Sequence, residues 1–182
     1  LLVVRRHKTM PDAAPPHETP ELRIGNGYDL HRLGDSAPFV LGGVEIAPEG
    51  GAIAYSDGDV IMHALVDALL GAIASGDIGQ RYPNSDHRNR NADSSRFVSE
   101  TMSELRDGGW KLVNVDITVI LEVIKIAPFV QVMVNRVAEA LGDVEANRVS
   151  IKAKTNEGVD AIGSGDAVAC YTTALLMREI SD

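Results

Sequence analysis

Residues 112–121 alternate apolar and polar side chains, and no other segment constrains the fold as strongly. Apolar residues occupy positions 113, 115, 117, 119 and 121, and the side chains between them include Asn114, Asp116 and Thr118. A repeat of two residues places successive side chains on opposite faces of a strand, whereas a helix needs a repeat near 3.6. The segment is therefore predicted to be a β-strand.

Three other segments favour helices. The first starts at the capping-box sequence 56–59, with Ser56 as the cap, carries apolar residues at helical spacing over 60–73 and stops at Gly76. The second runs from Asp93, as N-cap, to the glycine pair at 108–109. The third has Pro128 in its first turn and is expected to end near residue 142.

The order of elements predicts the fold class. Further strands are expected at 22–31, 149–153 and 167–177, an apolar segment at 38–46 bends at two glycines, and a glycine-rich loop spans 158–165. Together these segments predict an α+β domain with the β-α-β-β-α-β order of a ferredoxin-like sandwich, plus an extra hairpin and helix.

The 182 residues fit one domain. Residues 1–22 are predicted to be a disordered tail, since four prolines lie between positions 11 and 21 and little there can be buried. The domain is then expected at 23–182. No uninterrupted apolar run of about 20 residues occurs, so a membrane partner is not expected.

Charge is distributed unevenly. The formal net charge is −9, which argues against nucleic acid as a partner because phosphate backbones require clustered Lys and Arg. Residues 29–86 hold nine acidic and two basic residues, whereas residues 125–154 hold five basic and three acidic ones. The acidic third is either a solvated surface or a site that binds cations.

Asp29 and His31 have the spacing of metal ligands. One residue separates them on a predicted strand, so both side chains leave the same face. His63 lies on the first predicted helix, with Asp59 and Asp67 one turn to either side as candidate partners for its imidazole. Three such ligands leave a fourth position open, as in catalytic zinc sites.

The chain resembles a known family over residues 23–182. The similarity lies in six motifs that occur in the family's order: 23–31, 56–60 with His63, 67–71, 76–79, 92–94 and 114–116. They resemble the 2-C-methyl-D-erythritol 2,4-cyclodiphosphate synthase family of the non-mevalonate isoprenoid pathway. The resemblance implies a homotrimer with active sites between subunits. It also implies the conversion of 4-diphosphocytidyl-2-C-methyl-D-erythritol 2-phosphate to the cyclic 2,4-diphosphate with release of CMP, a lyase reaction.

The resemblance also implies roles for individual residues. Asp29, His31 and His63 match zinc ligands, and Glu157 matches a ligand of magnesium or manganese. Thr155 matches a catalytic residue that polarises the diphosphate, and the position of Tyr55 matches another catalytic residue. Positions expected to contact substrate are Ser56, Asp77, Gly79, Tyr82, Asp86, Lys125, Lys154, Thr155, Asn156 and Glu157. The segment at 154–157 is expected to face the zinc site of a neighbouring chain.

Three positions depart from the family pattern. Tyr55 and Asn26 stand where a His is usual, and Asn84 where an Asp is usual. A tyrosine can donate a hydrogen bond but carries no positive charge near pH 7. An active, slower enzyme is therefore expected.

Two other functions remain open at this point. One is a zinc hydrolase of a phosphorylated small molecule, in which metal-bound hydroxide is the nucleophile. The other is a non-catalytic nucleotide-binding relative that has lost turnover because of Tyr55.

Cys170 is the only cysteine, so no intrachain disulfide can form and a reducing compartment is expected. This favours the cytoplasm. A plastid is the alternative, because plastids also house the pathway that the resemblance implies.

Overall fold

The computed structural model describes residues 19–35, 38–142 and 144–179. The strands are β1 (Glu21–Arg32), β2 (Phe39–Leu41), β3 (Val44–Ala47), β4 (Lys111–Ile120), β5 (Val149–Lys154) and β6 (Ala167–Arg178). The α-helices are α1 (Val60–Ala72), α2 (Ile78–Arg81), α3 (Ser95–Asp107), α4 (Val130–Ala140) and α5 (Asp160–Gly163). Residues 1–18 of the predicted tail lie outside the described residues. Glu21 and Leu22 belong to β1, although the tail was predicted to reach residue 22; a strand was expected from Leu22 onward.

Four strands form one sheet in the order β1-β6-β4-β5, and β2 and β3 form a separate hairpin. β6 is antiparallel to both of its neighbours, while β4 and β5 are parallel and are connected through α4. The α+β class is confirmed. The ferredoxin-like order is not, because along the chain the sheet strands and main helices follow the order β-α-α-β-α-β-β.

Helix α1 packs across β1 at very short range. Eleven of its thirteen residues are buried. A Cβ added to Gly25 would lie 1.9 Å from the carbonyl oxygen of Ala68, and one added to Gly27 would lie 1.9 Å from that of Ala64. Only glycine permits this approach, which places His63 of α1 beside the end of β1.

Asp59, and not Ser56, caps α1. Its side chain accepts hydrogen bonds from the backbone N–H groups of Ile61 and Met62 at the helix start. The same carboxylate also accepts from Gly42 and Gly43, in the turn between β2 and β3. Asp59 is fully buried and therefore joins the hairpin to the helix.

The other helices begin later than predicted. Ser94 is the N-cap residue of α3, and Asp93 accepts from the backbone N–H of Ser95. Pro128 lies in a 3₁₀ turn, Ala127–Phe129, and α4 follows at Val130. In the described residues, no helix is long and apolar enough to cross a membrane.

The face of the sheet opposite α1 exposes apolar side chains. On β1 and β6 these include Leu22, Ile24, Tyr28, Leu30 and Tyr171. The rings of Tyr28 and Tyr171 contact each other with centroids 4.7 Å apart. Contiguous exposed apolar side chains of this kind often mark an interaction surface.

Candidate active site

Asp29, His31 and His63 meet at one point, as the spacing predicted. Oδ2 of Asp29 lies 3.0 Å from Nε2 of His31 and 2.9 Å from Nδ1 of His63. The two ring nitrogens are themselves 2.9 Å apart. Strand β1 supplies the first two residues from one face, and α1 supplies the third because the glycines of β1 bring the helix close.

This donor set fits a zinc ion. One carboxylate oxygen and two imidazole nitrogens lie within 4.8 Å of one another. Two imidazoles and one carboxylate are ligands that zinc takes in catalytic sites, with a fourth position left for water or substrate. The three residues can therefore hold the cation together.

Asp29 and His63 each favour the charged form of the other. Burial acts to raise the pKa of Asp29, but hydrogen bonds from His31 and His63 outweigh it and hold this pKa well below its usual range. Burial likewise acts to lower the pKa of His63, and Asp29 outweighs it and raises this pKa. In the metal-free protein the pair therefore stabilises the fold most between about pH 4 and 6.5, above the unfolded Asp pKa and below the unfolded His pKa.

The second nitrogen of His63 has partners that the sequence pattern did not identify. Nε2 lies 2.9 Å from Oγ of Ser94 and 3.0 Å from Oγ of Ser56. The predicted partners bond elsewhere: Asp59 caps α1, and Asp67 accepts from the backbone N–H of Ile78. The only sequence signal for Ser94 was its place in one of the six family motifs. Its role could not be predicted, because it depends on a contact with His63, 31 residues away in the chain.

A cavity of about 420 Å³ opens beside the trio. Several predicted site residues line it, namely Tyr55, Ser56, Gly79 and Tyr82, together with Asn84. Phe97 and Asn89 also line it and were not predicted. The ring of Tyr82 stacks on Phe97 with centroids 4.3 Å apart, so one wall is apolar and aromatic.

Two predicted substrate-binding carboxylates do not line this cavity. Asp77 caps the short helix α2 and accepts from both the backbone and side-chain N–H groups of Gln80. Asp86 is bound by the guanidinium of Arg88, which holds the pKa of Asp86 at about 2. Both carboxylates thus already have partners in the isolated chain.

The remaining predicted residues form a second group that is separate from the cavity beside the trio. Lys125 follows β4, and the segment 154–157 begins at the last residue of β5, so both lie at the same edge of the sheet. The backbone N–H of Asn156 donates to Oε2 of Glu122, which ties the two loops together. Glu157 has a φ of 54°, a strained backbone conformation for a residue other than glycine.

This second group offers fewer ligands for a divalent cation than the trio does. Among the described residues, Asp29, His31 and His63 are the only group of three His, Cys, Asp or Glu side chains close enough to share an ion. Magnesium, however, is usually held by one or two carboxylates together with substrate phosphates and water. Glu157 can serve as one of those carboxylates.

The comparisons with known sequences all indicate the same family. A model described as the YgbB family matches residues 22–177. The chain is 41% identical over 177 residues to the chloroplastic 2-C-methyl-D-erythritol 2,4-cyclodiphosphate synthase of Oryza sativa subsp. japonica, covering 97% of this chain and 79% of that protein. It is 46% identical to the synthase of the same name from Xanthomonas axonopodis pv. citri, covering 86% and 93%.

Solved structures agree. The bifunctional IspDF of Campylobacter jejuni superposes with a TM-score of 0.84 at 38% identity, covering 88% of this chain. This chain spans only 43% of that bifunctional protein. IspF of Plasmodium falciparum, solved as a CDP complex, superposes with a TM-score of 0.77 at 31% identity, covering 87% of this chain and 97% of that one. The chain therefore belongs to the YgbB family, together with these cyclodiphosphate synthases.

Proposed function

We propose that this protein is a 2-C-methyl-D-erythritol 2,4-cyclodiphosphate synthase. It converts 4-diphosphocytidyl-2-C-methyl-D-erythritol 2-phosphate to the cyclic 2,4-diphosphate and CMP. The observation that carries the proposal is the candidate metal-binding trio in the lining of a cavity of about 420 Å³, in a chain of this family. The CDP complex of the Plasmodium falciparum relative supports a cytidine-linked substrate.

The reaction is an intramolecular phosphoryl transfer, in which the 2-phosphate attacks the β-phosphorus and CMP leaves. Such a transfer depends on position and charge more than on a strong base. Zinc at the trio and magnesium or manganese at Glu157 supply, when bound, positive charge that polarises the diphosphate oxygens. A site in an acidic region needs this charge, since nine acidic residues lie between positions 29 and 86.

The chain's own residues hold the substrate. Ser56 and the backbone of Gly79 line the cavity and can bind phosphate or hydroxyl groups, and Tyr82 offers an apolar face to the methylerythritol carbons. Asp77 and Asp86 do not line the cavity in the isolated chain, and we assign them contacts with the same substrate from the positions that they match in the family. Tyr55 lines the cavity and can donate one hydrogen bond to the reacting phosphate.

The cytidine side is assigned to the second group. Thr155 polarises the diphosphate, while Lys125 and Lys154 balance its charge and Asn156 and Glu157 complete the contacts. This group does not line the cavity beside the trio in one chain. A complete site is therefore assigned to two neighbouring copies.

A homotrimer supplies those copies. The exposed apolar face of β1 and β6 supports this assembly, because burial of Ile24, which is 70% exposed, and of the Tyr28–Tyr171 pair would favour association. The same face lies next to Asn156, which shares a second cavity with both tyrosines. Assembly through the sheet would thus place the 154–157 segment at the subunit boundary.

The location is proposed as a reducing compartment. Cys170 is fully buried and is a free thiol. The rice relative is named as chloroplastic, so a plastid remains the alternative to the cytoplasm.

Release of CMP from the CDP-linked substrate, with zinc and magnesium present, tests the proposal. Phosphorus NMR should show a cyclic diphosphate product, and the Asp29→Ala and His63→Ala variants should release less than about one-hundredth as much CMP. An acyclic product would identify a hydrolase instead. Nucleotide binding without turnover, with turnover restored by Tyr55→His, would identify a non-catalytic relative.

A further inference from the structure

Ser94 occupies a helix cap but does not use its hydroxyl for capping. Serine at an N-cap normally accepts a hydrogen bond from the first turn, which stabilises the helix. Ser94 makes no such side-chain bond to α3. Its Oγ instead lies 2.9 Å from Nε2 of His63 and within hydrogen-bonding distance of Oδ1 of Asp57.

The direction of these hydrogen bonds is fixed by Asp57. Its carboxylate accepts from the backbone N–H of Ser94 and from that of Asp59, and a carboxylate can only accept. The Ser94 hydroxyl must therefore donate to Asp57, which leaves a lone pair of Oγ facing His63. Ser94 is fully buried, so water cannot compete for it.

That lone pair selects one tautomer of His63. Nε2 must carry the proton that it donates to Ser94, so loss of the proton that Nδ1 shares with Asp29 leaves the electron pair on Nδ1. Nδ1 is the nitrogen that lies 2.9 Å from both Asp29 and the ring nitrogen of His31. A histidine ligand binds metal more tightly when its other ring nitrogen is hydrogen-bonded, because that bond orients the imidazole and makes it more basic.

Ser56 cannot replace Ser94 in this role. Its Oγ is 3.0 Å from the same Nε2, but its nearest other partner is the backbone N–H of Gly58 at 3.5 Å. Ser56 also lines the cavity, where its hydroxyl can turn toward a ligand. The single Nε2–H group of His63 cannot donate well to two hydroxyls. The Ser94 hydroxyl, which Asp57 holds in place, is the better acceptor.

We propose that Ser94 and Asp57 are positioning residues that hold His63 in the Nε2–H tautomer and so prepare Nδ1 to bind the metal ion. This inference rests on the metal site of the proposed function, but not on the cyclisation reaction. Its test therefore measures binding of the metal alone.

Zinc affinity of the metal-free protein, measured by competition with a chromophoric chelator, tests the proposal. Ser94→Ala and Asp57→Asn are expected to weaken zinc binding about 10- to 100-fold, while Ser56→Ala, the matched control, changes it less than about threefold. Two-bond ¹⁵N NMR of the histidine rings should show the proton of His63 on Nε2 in the zinc-loaded wild type. At a pH where the metal-free ring is neutral, the preference for that tautomer should be weaker in Ser94→Ala than in wild type.

A structural role alone would lower stability without moving the tautomer. If Ser94→Ala fails to fold, the zinc affinity of Asp57→Asn tests the proposal instead, because asparagine keeps the shape of the aspartate side chain. Wild-type zinc affinity in Asp57→Asn, or equal losses in Ser56→Ala and Ser94→Ala, would overturn the proposal. Absence of zinc binding in the wild type would instead contradict the proposed metal site.

Discussion

Nδ1 of His63 lies 2.9 Å from Oδ2 of Asp29, although the two residues are 34 positions apart in the chain. The contact joins the end of β1 to the first turn of α1. It exists because Gly25 and Gly27 let the helix rest on the strand backbone. The metal site therefore depends on helix packing as much as on its ligands.

Zinc should stabilise the folded protein. At a free zinc concentration about 100 times its dissociation constant, the free energy of unfolding should rise by about 2.7 kcal/mol, because the unfolded chain has no assembled site. Urea unfolding with and without zinc measures this gain. His63→Ala should lose the gain, whereas His87→Ala, which removes a histidine outside the trio, should keep it. Equal gains in both variants would contradict the assigned site.

Gly27→Ala should destabilise the protein by about 1–3 kcal/mol or more, because the added methyl group would overlap the carbonyl of Ala64. Gly71→Ala provides the matched control within α1. Its added Cβ would meet nothing closer than the carbonyl oxygen of Asn26 at 3.9 Å, and alanine favours a helix by about 0.5–1 kcal/mol over glycine. Chemical unfolding of the two variants should therefore give changes of opposite sign.

Ile24→Asp should separate the proposed trimer into single chains, because a carboxylate would have to be buried in the apolar sheet face. Sedimentation equilibrium should give three chain masses for the wild type and one for the variant. Val132→Asp changes another exposed apolar residue, on α4, and should leave the mass unchanged. A wild-type protein that sediments as a single chain would remove the shared-site proposal.

Cys170 should not react with thiol reagents in the folded protein. Burial raises the pKa of its thiol to about 12, so the group stays protonated at pH 8, and only the thiolate is reactive. Colorimetric labelling should detect no thiol in the native state and one in guanidinium chloride, where the pKa returns to its ordinary value. Rapid labelling of the native protein would show that the strand pair β1–β6 opens readily.

Much of the local structure could be predicted because it depends on near neighbours in sequence. The alternation at 112–121 correctly indicated β4, and the apolar spacing after Asp59 correctly indicated α1. The predicted helix boundaries were less accurate. The cap of α1 is Asp59 and not the predicted Ser56, and the Asp59 carboxylate also accepts a hydrogen bond from Gly42 in the hairpin turn. A capping pattern does not reveal such a second partner.

The sequence by itself determined which side chains could bind a metal ion and that Asp29 and His31 share a strand face. Only the tertiary structure decided the strand order, the approach of His63 to Asp29, and the contact of Ser94 with His63. The physical reason is range. Periodicity and spacing act over a few residues, whereas the two contacts of His63 join residues 34 and 31 positions apart, and the pairing of β1 with β6 joins residues as far apart as Asn26 and Thr173.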